Sequence, residues 1–431
     1  MKRRQFIDFG LRGAAGAAAL KAAGQPSVSA NDKVSVAIVG VGRMGSGHVR
    51  MFLADPGAHI AALCDINQEK TERAGQEVHR AQGVTPRLEA DFRTLLGDKS
   101  IDALVVATPH HWHIPVTLRA LQAGKDVYVE KPASHVFREG RLLIESARKY
   151  KRIVQHGTQM RSSDTFARAG EVLASGILGE IRMSKAWNIQ KRSHPEPAGD
   201  ARTPPGVNYD MWLGPAPARP SFNPNRFDPN WHWYPEYGNG DIGGDGIHDL
   251  DLARWGLGVS THPVKITAQG SRTFLKGERN FPDNMMVAYD YADGKVLIYE
   301  DRIWVPYGMH GFDSGNAFYG SEGYMIFSRR GYFQVYLGAK EEKGPGMVKA
   351  GRGQPEHIQN FLDCVRTRKQ PAAPPEEAHL SCGLVHVGEI GYRMGRILHF
   401  DPAKEVFPND KEATARLTKT YRDPWRLPDP V

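Results

Sequence analysis

Two short stretches hold side chains that could do chemistry together. In Asp126-Val127-Tyr128-Val129-Glu130-Lys131-Pro132 a short apolar strand runs into a charged pair and stops at proline. Proline lacks an N–H and holds the residue before it extended, so Lys131 is presented at the strand's carboxyl end. Open α/β sheets bind ligands there. An amine in that place serves as an ion-pair partner, a phosphate clamp or a catalytic donor, and Glu-Lys-Pro alone does not choose among them. The second stretch runs from Gly240 to Asp251, and its glycines open a helix whose apolar side is Ile247, Leu250, Ala253 and Leu257. Asp245, His248 and Asp251 recur at i, i+3 and i+6, which sets His248 between two carboxylates. A carboxylate fixes the tautomer of an imidazole and raises its basicity, as a general base near neutral pH requires. The same residues also read as an N-capping Asp245 and a packed His248.

The elements that must position these groups are read upstream. Val34–Val39 is an apolar strand, Gly40-Val41-Gly42-Arg43-Met44-Gly45 is a G-x-G-x-x-G turn, and a helix pattern follows through Met51 and Leu53. A second strand, His59–Leu63, ends at Asp65, twenty residues after Gly45. Strand, glycine turn, helix and acid at that distance form a dinucleotide fingerprint in its proper context. Gly40 makes the tight turn, Gly42 lets the backbone approach a pyrophosphate, and Gly45 lets helix pack on strand. The helix N-terminus offers the anion its free N–H groups and its dipole. Asp65 would accept hydrogen bonds from a ribose and repel a 2′-phosphate, so NAD is expected rather than NADP.

Ile101–Ala107 is a buried parallel strand by its continuous apolar run. It ends in Thr108-Pro109-His110-His111-Trp112-His113, and a helix then runs to Gly124. Three histidines in four residues invite a metal reading, but no carboxylate or cysteine stands at ligand spacing, and no metal is expected. His110 to His113 are expected instead to line the nicotinamide side of the cleft. With Val127–Val129, a helix from about Phe137 to Lys149 and the strand Ile153–Gln155, five strands are located of the six expected in a wound sheet over residues 31–156. After Gly157 the character changes. A helix over Glu171–Leu178 and a long strand over Ile181–Ile189 precede a weakly periodic stretch, 193–237, rich in Pro, Asn, Trp and Tyr. Strands at Val264–Gln269, Met285–Tyr291, Lys295–Asp301 and Gly323–Ser328 then predict an antiparallel sheet, with Glu356–Arg368 and Leu380–Leu398 as closing helices. Residues 157–431 are thus expected to form a second, α+β domain.

Composition agrees with a soluble enzyme-sized chain of two or three domains: 431 residues, 40% apolar and 24% charged. Of the net charge of +8, residues 1–30 supply +4 through Lys2, Arg3, Arg4, Arg12 and Lys21 against Asp8. No basic stripe interleaved with aromatics remains, so nucleic acid is not an expected partner. Cys64, Cys364 and Cys382 form neither a C-x-x-C motif nor an even-numbered framework. Lys2-Arg3-Arg4-Gln5-Phe6-Ile7, a mild Gly/Ala run and Val28-Ser29-Ala30 read as a twin-arginine export signal over residues 1–30, cleaved near Ala30. The run is too short and polar for a stable membrane span. A periplasmic or otherwise exported location follows, with the twin-arginine translocase as a passing partner.

Together these segments resemble the glucose-fructose oxidoreductase / inositol dehydrogenase / MocA (Gfo/Idh/MocA) family. The resemblance covers nearly all of residues 33–400 and rests on Gly40–Gly45, Thr108–His113, Glu130-Lys131-Pro132 and Asp245 with His248. Trp212-Leu213-Gly214-Pro215-Ala216-Pro217 and Phe361-Leu362-Asp363-Cys364 are similar to its exported branch. His110 departs from the pattern, which has Asn or Asp in that cofactor loop. The resemblance implies a Rossmann domain joined to a large open sheet, mainly antiparallel, with NAD at the join. Gly40, Gly42, Arg43, Met44, Gly45, Asp65, Thr108, Pro109, His110, His113, Glu130 and Lys131 would contact the cofactor. Lys131 would hydrogen-bond the reacting hydroxyl, Asp245 would hold the substrate, and His248 would take the proton. Sugars, cyclitols and related polyols are the implied substrates, on which Trp231 and Tyr237, with Trp233 and Tyr234, would stack unless they belong to the core. Homodimers or homotetramers are implied as well. An NAD-dependent glycoside hydrolase or lyase is the alternative activity, although Asp245-Gly246-Ile247-His248 follows the dehydrogenase form.

Overall fold

A computed structural model describes residues 33–427 apart from 194, 195, 276, 349 and 350; the expected export segment lies outside the described residues. The first half alternates strand and helix: β1 (Val34–Val39), α1 (Arg43–Ala54), β2 (Ala58–Cys64), α2 (Gln68–Gln82), β3 (Arg87–Glu89), α3 (Arg93–Leu96), β4 (Ala103–Val106), α4 (His110–Gln122), β5 (Asp126–Val129), α5 (Phe137–Tyr150) and β6 (Val154–His156). The six strands are parallel, in the order β3-β2-β1-β4-β5-β6. The order reverses between β1 and β4, and a crevice opens outside the carboxyl ends at that point. Strands β4 and β5 are buried along their whole length, which explains their continuous apolar runs.

The chain continues with α6 (Asp164–Ala174), β7 (Met183–Asn188), α7 (Tyr209–Leu213) and α8 (Ile247–Leu257). It proceeds through β8 (Lys265–Ser271), β9 (Asn284–Asp290), β10 (Val296–Arg302), β11 (Ser314–Tyr319), β12 (Gly323–Ser328), β13 (Tyr332–Leu337) and β14 (Glu342–Met347). It closes with α9 (Gln354–Thr367), α10 (Pro375–Met394), β15 (Leu398–His399) and α11 (Lys411–Ala415). Nine strands make one sheet in the order β14-β13-β12-β11-β7-β10-β9-β8-β15. Only the central pair β7/β10 is parallel; every other pairing is antiparallel. The fold is therefore a Rossmann-type α/β domain followed by an α+β domain with a large, mainly antiparallel sheet.

Several boundaries differ from the sequence reading. The helix expected over Glu171–Leu178 starts earlier and ends at Ala174, because Ser163 caps it by accepting the Phe166 N–H. The stretch 193–237 is not featureless: it holds α7 and short 3₁₀ turns that gather Trp212, Leu213, Trp233, Tyr234 and Tyr237 into a small aromatic core. Strands β3, β11, β13, β14 and β15 went unread. In β11 the buried residues include Ser314 and Asn316, which bond to Asp249, so no apolar alternation marks it. β14 reads Glu-Lys-Gly-Pro-Gly-Met, with its proline tolerated at the sheet edge.

The division at residue 156 is not a division of the core. Ile358, Phe361, Leu362 and Cys364 of α9 pack with Val34, Ile38, Val49, Phe52, Val105 and Tyr128 of the first sheet's layer. On the other face, residues of α10 such as Cys382, Leu384 and Val385 share one core with β4, β5 and the second sheet. Two late helices thus clamp the nucleotide-binding half to the rest.

Candidate active site

The site begins at the β1–α1 turn. Gly40 has φ of +89°, and a Cβ there would stand 2.6 Å from the Ala107 carbonyl oxygen of the neighbouring β4 loop. A Cβ on Gly45 would overlap the Gly40 carbonyl, so helix and strand meet only because both side chains are missing. Gly42 differs: nothing lies within 4 Å of where its Cβ would be. It caps α1 without any side-chain hydrogen bond to the first turn, which leaves N–H groups pointing into open space. Arg43 and Met44 are exposed beside it. Thr108 at the end of β4 has a buried hydroxyl with no partner. An open cradle, free N–H donors and an orphaned hydroxyl along one sheet edge fit a dinucleotide.

Asp65 follows β2 and accepts the Val41 N–H at 2.7 Å and the Asn67 N–H at 2.9 Å, so it fixes the glycine turn. Burial raises its carboxyl pKa, opposed by those two hydrogen bonds. NAD should bind at least about tenfold more tightly than NADP, about 1.4 kcal/mol, because a 2′-phosphate would meet this carboxylate. Titration calorimetry returning equal affinities would remove the ribose role from Asp65.

Lys131 follows β5, and its ammonium donates to the Gly244 carbonyl of the second domain. Residues Ile242–Gly246 form a π-type turn that carries Asp245 and leads into α8, whose second residue is His248. Asp245 keeps 27% of its side chain open, pairs with the Arg192 guanidinium and stands 3.5 Å from that of Arg329. Burial would raise the Asp245 pKa, but the charges of Lys131, Arg329 and Arg192 outweigh it and hold the carboxyl well below its usual range. His248 is 5% exposed. Its burial, with the nearby charges of Arg329 and Lys131, pushes the imidazole well below its usual pKa against the pull of Asp245 and Glu130. The resting imidazole is neutral and holds a lone pair. It borders a small, partly enclosed cavity of about 50 Å³. Gln159, Met160, Arg329, Arg330, Arg352 and Gln354 line the rest. Lys131, Asp245 and His248 are thus brought together from two domains.

Other expected site residues stand elsewhere. Glu130 turns inward: its carboxylate pairs with His48 at 2.8 Å and accepts the Lys131 N–H at 3.2 Å. It orients the Lys131 backbone rather than facing a cofactor. His110, His111 and His113 do not line an open cleft, being almost wholly buried. His110 contacts the Asn239 side-chain oxygen, and His113 bridges the carbonyls of Pro132 and Thr108, so it ties the Lys131-Pro132 corner to the β4 loop. Tyr237 is core, packed on Trp212 and His111, and offers no sugar platform. Trp231 remains half-buried, edge-on to His110 at 4.8 Å. Asp251 does not flank His248; Arg161 holds it through bonds of 2.7 and 2.8 Å, and Ser381 donates to it at 2.6 Å. Arg192 and Arg329 were missed. They leave β7 and β12 with no local pattern, and only the fold delivers them to Asp245.

A Rossmann sheet with this glycine cradle, joined to an open sheet that delivers an acid and an imidazole, defines an NAD-binding oxidoreductase. The chain belongs to the GFO/IDH/MocA oxidoreductase family. Residues 34–158 match its "NAD-binding Rossmann fold", and residues 184–427 its "C-terminal alpha/beta domain". Among curated proteins, a glycosyl hydrolase family 109 protein of Saccharopolyspora erythraea is 34% identical over 159 residues, 35% of this chain and 34% of that one. An alpha-N-acetylgalactosaminidase of Shewanella oneidensis is 25% identical over 176 residues, 37% of this chain and 38% of that one. The chain thus spans little more than a third of the curated relatives it matches. Solved structures of similar fold include a levoglucosan dehydrogenase with NADH and L-sorbose, at TM-score 0.67 and 17% identity, covering 85% of this chain and 99% of that one. An aldose-aldose oxidoreductase of Caulobacter crescentus aligns at TM-score 0.66 and 18% identity, covering 85% of this chain and 100% of that one.

Proposed function

We propose that this oxidoreductase removes hydride from a hydroxyl-bearing carbon of a sugar, cyclitol or related polyol. The observation that supports it most is the meeting of Lys131, from the carboxyl end of β5, with Asp245 of the π-type turn and His248 of the first turn of α8. NAD, when bound along Gly40–Gly45, Asp65 and Thr108, supplies the hydride acceptor. In this reading Lys131 holds the substrate hydroxyl oxygen, and the neutral His248 takes its proton. A carbon gives up hydride more readily as its hydroxyl loses a proton, so an amine and a base at one oxygen suit the step. Asp245, ionised and fixed by Arg192, accepts a hydrogen bond from a neighbouring hydroxyl. The names of the levoglucosan dehydrogenase and the aldose-aldose oxidoreductase agree with a carbohydrate substrate.

The curated relatives supply a second reading, a glycoside hydrolase that oxidises its substrate only transiently. That cycle needs a second proton-transfer pair. Tyr237 is core and does not supply it, whereas His232 lies near enough to feel the charges of Arg192, Lys131 and Asp245. One His without an acid partner favours net oxidation. The test is to incubate enzyme and substoichiometric NAD with a panel of free sugars, polyols and aryl glycosides, without added acceptor. One NADH per oxidised product is expected. Many turnovers of aglycone release would overturn the dehydrogenase reading.

We also infer export by the twin-arginine route, from Arg3, Arg4 and the small residues ending at Ala30. Replacing both arginines by lysine should keep the protein in the cytoplasm. Wild-type export of that double variant would sink the assignment. Self-association as a homodimer or homotetramer is proposed through the open face of the second sheet, where Met286 is 55% exposed and Tyr319, Tyr324 and Tyr336 lie half-buried. Light scattering at the monomer mass would dismiss it.

A further inference from the structure

We propose that His262, His379 and Glu405 form a binding site for a divalent transition-metal ion of the zinc class, outside the cavity beside His248. His262 lies in the loop between α8 and β8, His379 in α10, and Glu405 in the turn after β15. The two imidazole Nε2 atoms are 3.3 Å apart. The Glu405 Oε1 atom lies 2.8 Å from that of His379 and 3.7 Å from that of His262. Zinc bonds nitrogen and oxygen at about 2.0–2.2 Å in tetrahedral sites, which makes each ligand-to-ligand edge about 3.3 Å. The three atoms therefore outline one face of such a tetrahedron, with its fourth position left for water.

Hydrogen bonding serves the arrangement unevenly: two protonated Nε2 atoms would converge on Glu405 Oε1, at 2.8 Å from His379 but only 3.7 Å from His262. A proton on the His379 Nε2 serves the 2.8 Å contact with Glu405 and leaves that nitrogen no lone pair for His262. A proton shared between the imidazoles leaves the contact to Glu405 unserved. His262 is 4% exposed, and its other ring nitrogen has no partner. A single cation satisfies all three converging atoms.

The surroundings are built to hold the rings still. Phe137 packs on both imidazoles, with ring centroids 4.9 and 5.0 Å away. A Cβ on Gly140 would strike the His379 ring, and one on Gly383 the His262 ring. Arg141 of α5 holds the carboxylate, its Nε donating to Glu405 Oε2 at 3.1 Å, while its Nη2 pairs with Oε1. A carboxylate oxygen has two lone pairs, so that guanidinium orients the ligand while the second lone pair stays available, as outer groups do at metal sites. The three ligands are 117 and 26 residues apart along the chain. No spacing rule finds such a set in a sequence. The ion would fasten α10 and the β15 turn beside α5 of the nucleotide-binding half.

The test uses the full chain purified without a polyhistidine tag and dialysed against metal-free buffer. Plasma mass spectrometry should find about one zinc per chain, falling below about one-tenth in His379→Ala and in Glu405→Gln. Cobalt(II) added to stripped protein should give the visible bands of a tetrahedral nitrogen and oxygen site. Stripping the wild type with a chelator should lower Tm by about 5 °C, restored by zinc alone, which keeps the test decisive if a variant does not fold. A wild-type chain that arrives with less than about one-tenth equivalent and takes up neither zinc nor cobalt at stoichiometric concentration would overturn the proposal. So would equal metal content in wild type and both folded variants.

Discussion

Lys131→Ala and His248→Ala are each expected to lower turnover by about two to four orders of magnitude while leaving dinucleotide affinity nearly unchanged. On the proposed mechanism, the first change removes the donor at the substrate oxygen and the second the lone pair that accepts the proton. The glycine cradle, Asp65 and Thr108 lie on other strands and remain. Because the His248 pKa is held well below its ordinary value by burial and by Arg329 and Lys131, the rate should show no inflection near pH 6.5 from this residue. Arg329→Gln removes one of those charges and should move any acid limb upward in pH. Steady-state rates across pH, with NAD affinity measured on the same samples, decide the matter. Variants that melt early but keep full activity per folded molecule would assign both residues to structure alone.

Acid should unfold this protein well before its ion pairs are titrated. Burial pushes the imidazoles of His111 and His386 down to about 3 and those of His156 and His357 to about 4, against an ordinary 6.5. Each is neutral when folded, whereas the unfolded chain takes up its proton below pH 6.5. The unfolded state then binds more protons, so stability present above pH 6.5 is lost as pH falls toward 4. The scale is on the order of 1 kcal/mol per group for each pH unit in that window. Carboxylates add a later loss: Glu130 and Asp251 are held at about 2, so their contribution goes only below pH 4.5 and 3.8. For Glu130 burial is outweighed by His48 and Lys131, and for Asp251 burial is outweighed by Arg161. Urea midpoints measured from pH 8 to 4 should fall steeply between 6.5 and 4.5. A flat profile from pH 7 to 5 would contradict the burial argument.

The nucleotide-binding half was legible because its signals are local. Each strand, turn and helix of the Gly40–Gly45 unit lies within a few residues of the next, and continuous apolar runs mark strands covered on both faces. The places of Lys131 and His248 in the fold were legible for the same reason, one at a strand end and the other at a glycine-opened helix. The partners of His248 were not. A helical wheel places Asp251 beside it, but a π-type turn precedes α8 and every side of this helix is buried. What packs against each side then decides the pairing, and Asp251 goes to Arg161. Burial is equally invisible for Tyr237 and for the histidines at the head of α4, since an aromatic in an aperiodic stretch reads alike as platform or core. Arg192 and Arg329 reach the site by sheet topology alone.

The packing of α9 on the first sheet bears on how the chain acquires its structure during synthesis. Ile358, Phe361 and Leu362 complete a layer begun by Val34 and Ile38, more than three hundred residues earlier. A ribosome that has made only the first sheet therefore carries an uncovered apolar flank, and an aromatic such as Phe361 is worth about 3–5 kcal/mol to such a layer. That flank of the nucleotide-binding half is covered only once α9 has been made, after most of the second sheet has been translated. Shielding by a chaperone over that interval is the natural requirement of a chain whose first domain is closed by one of its late helices.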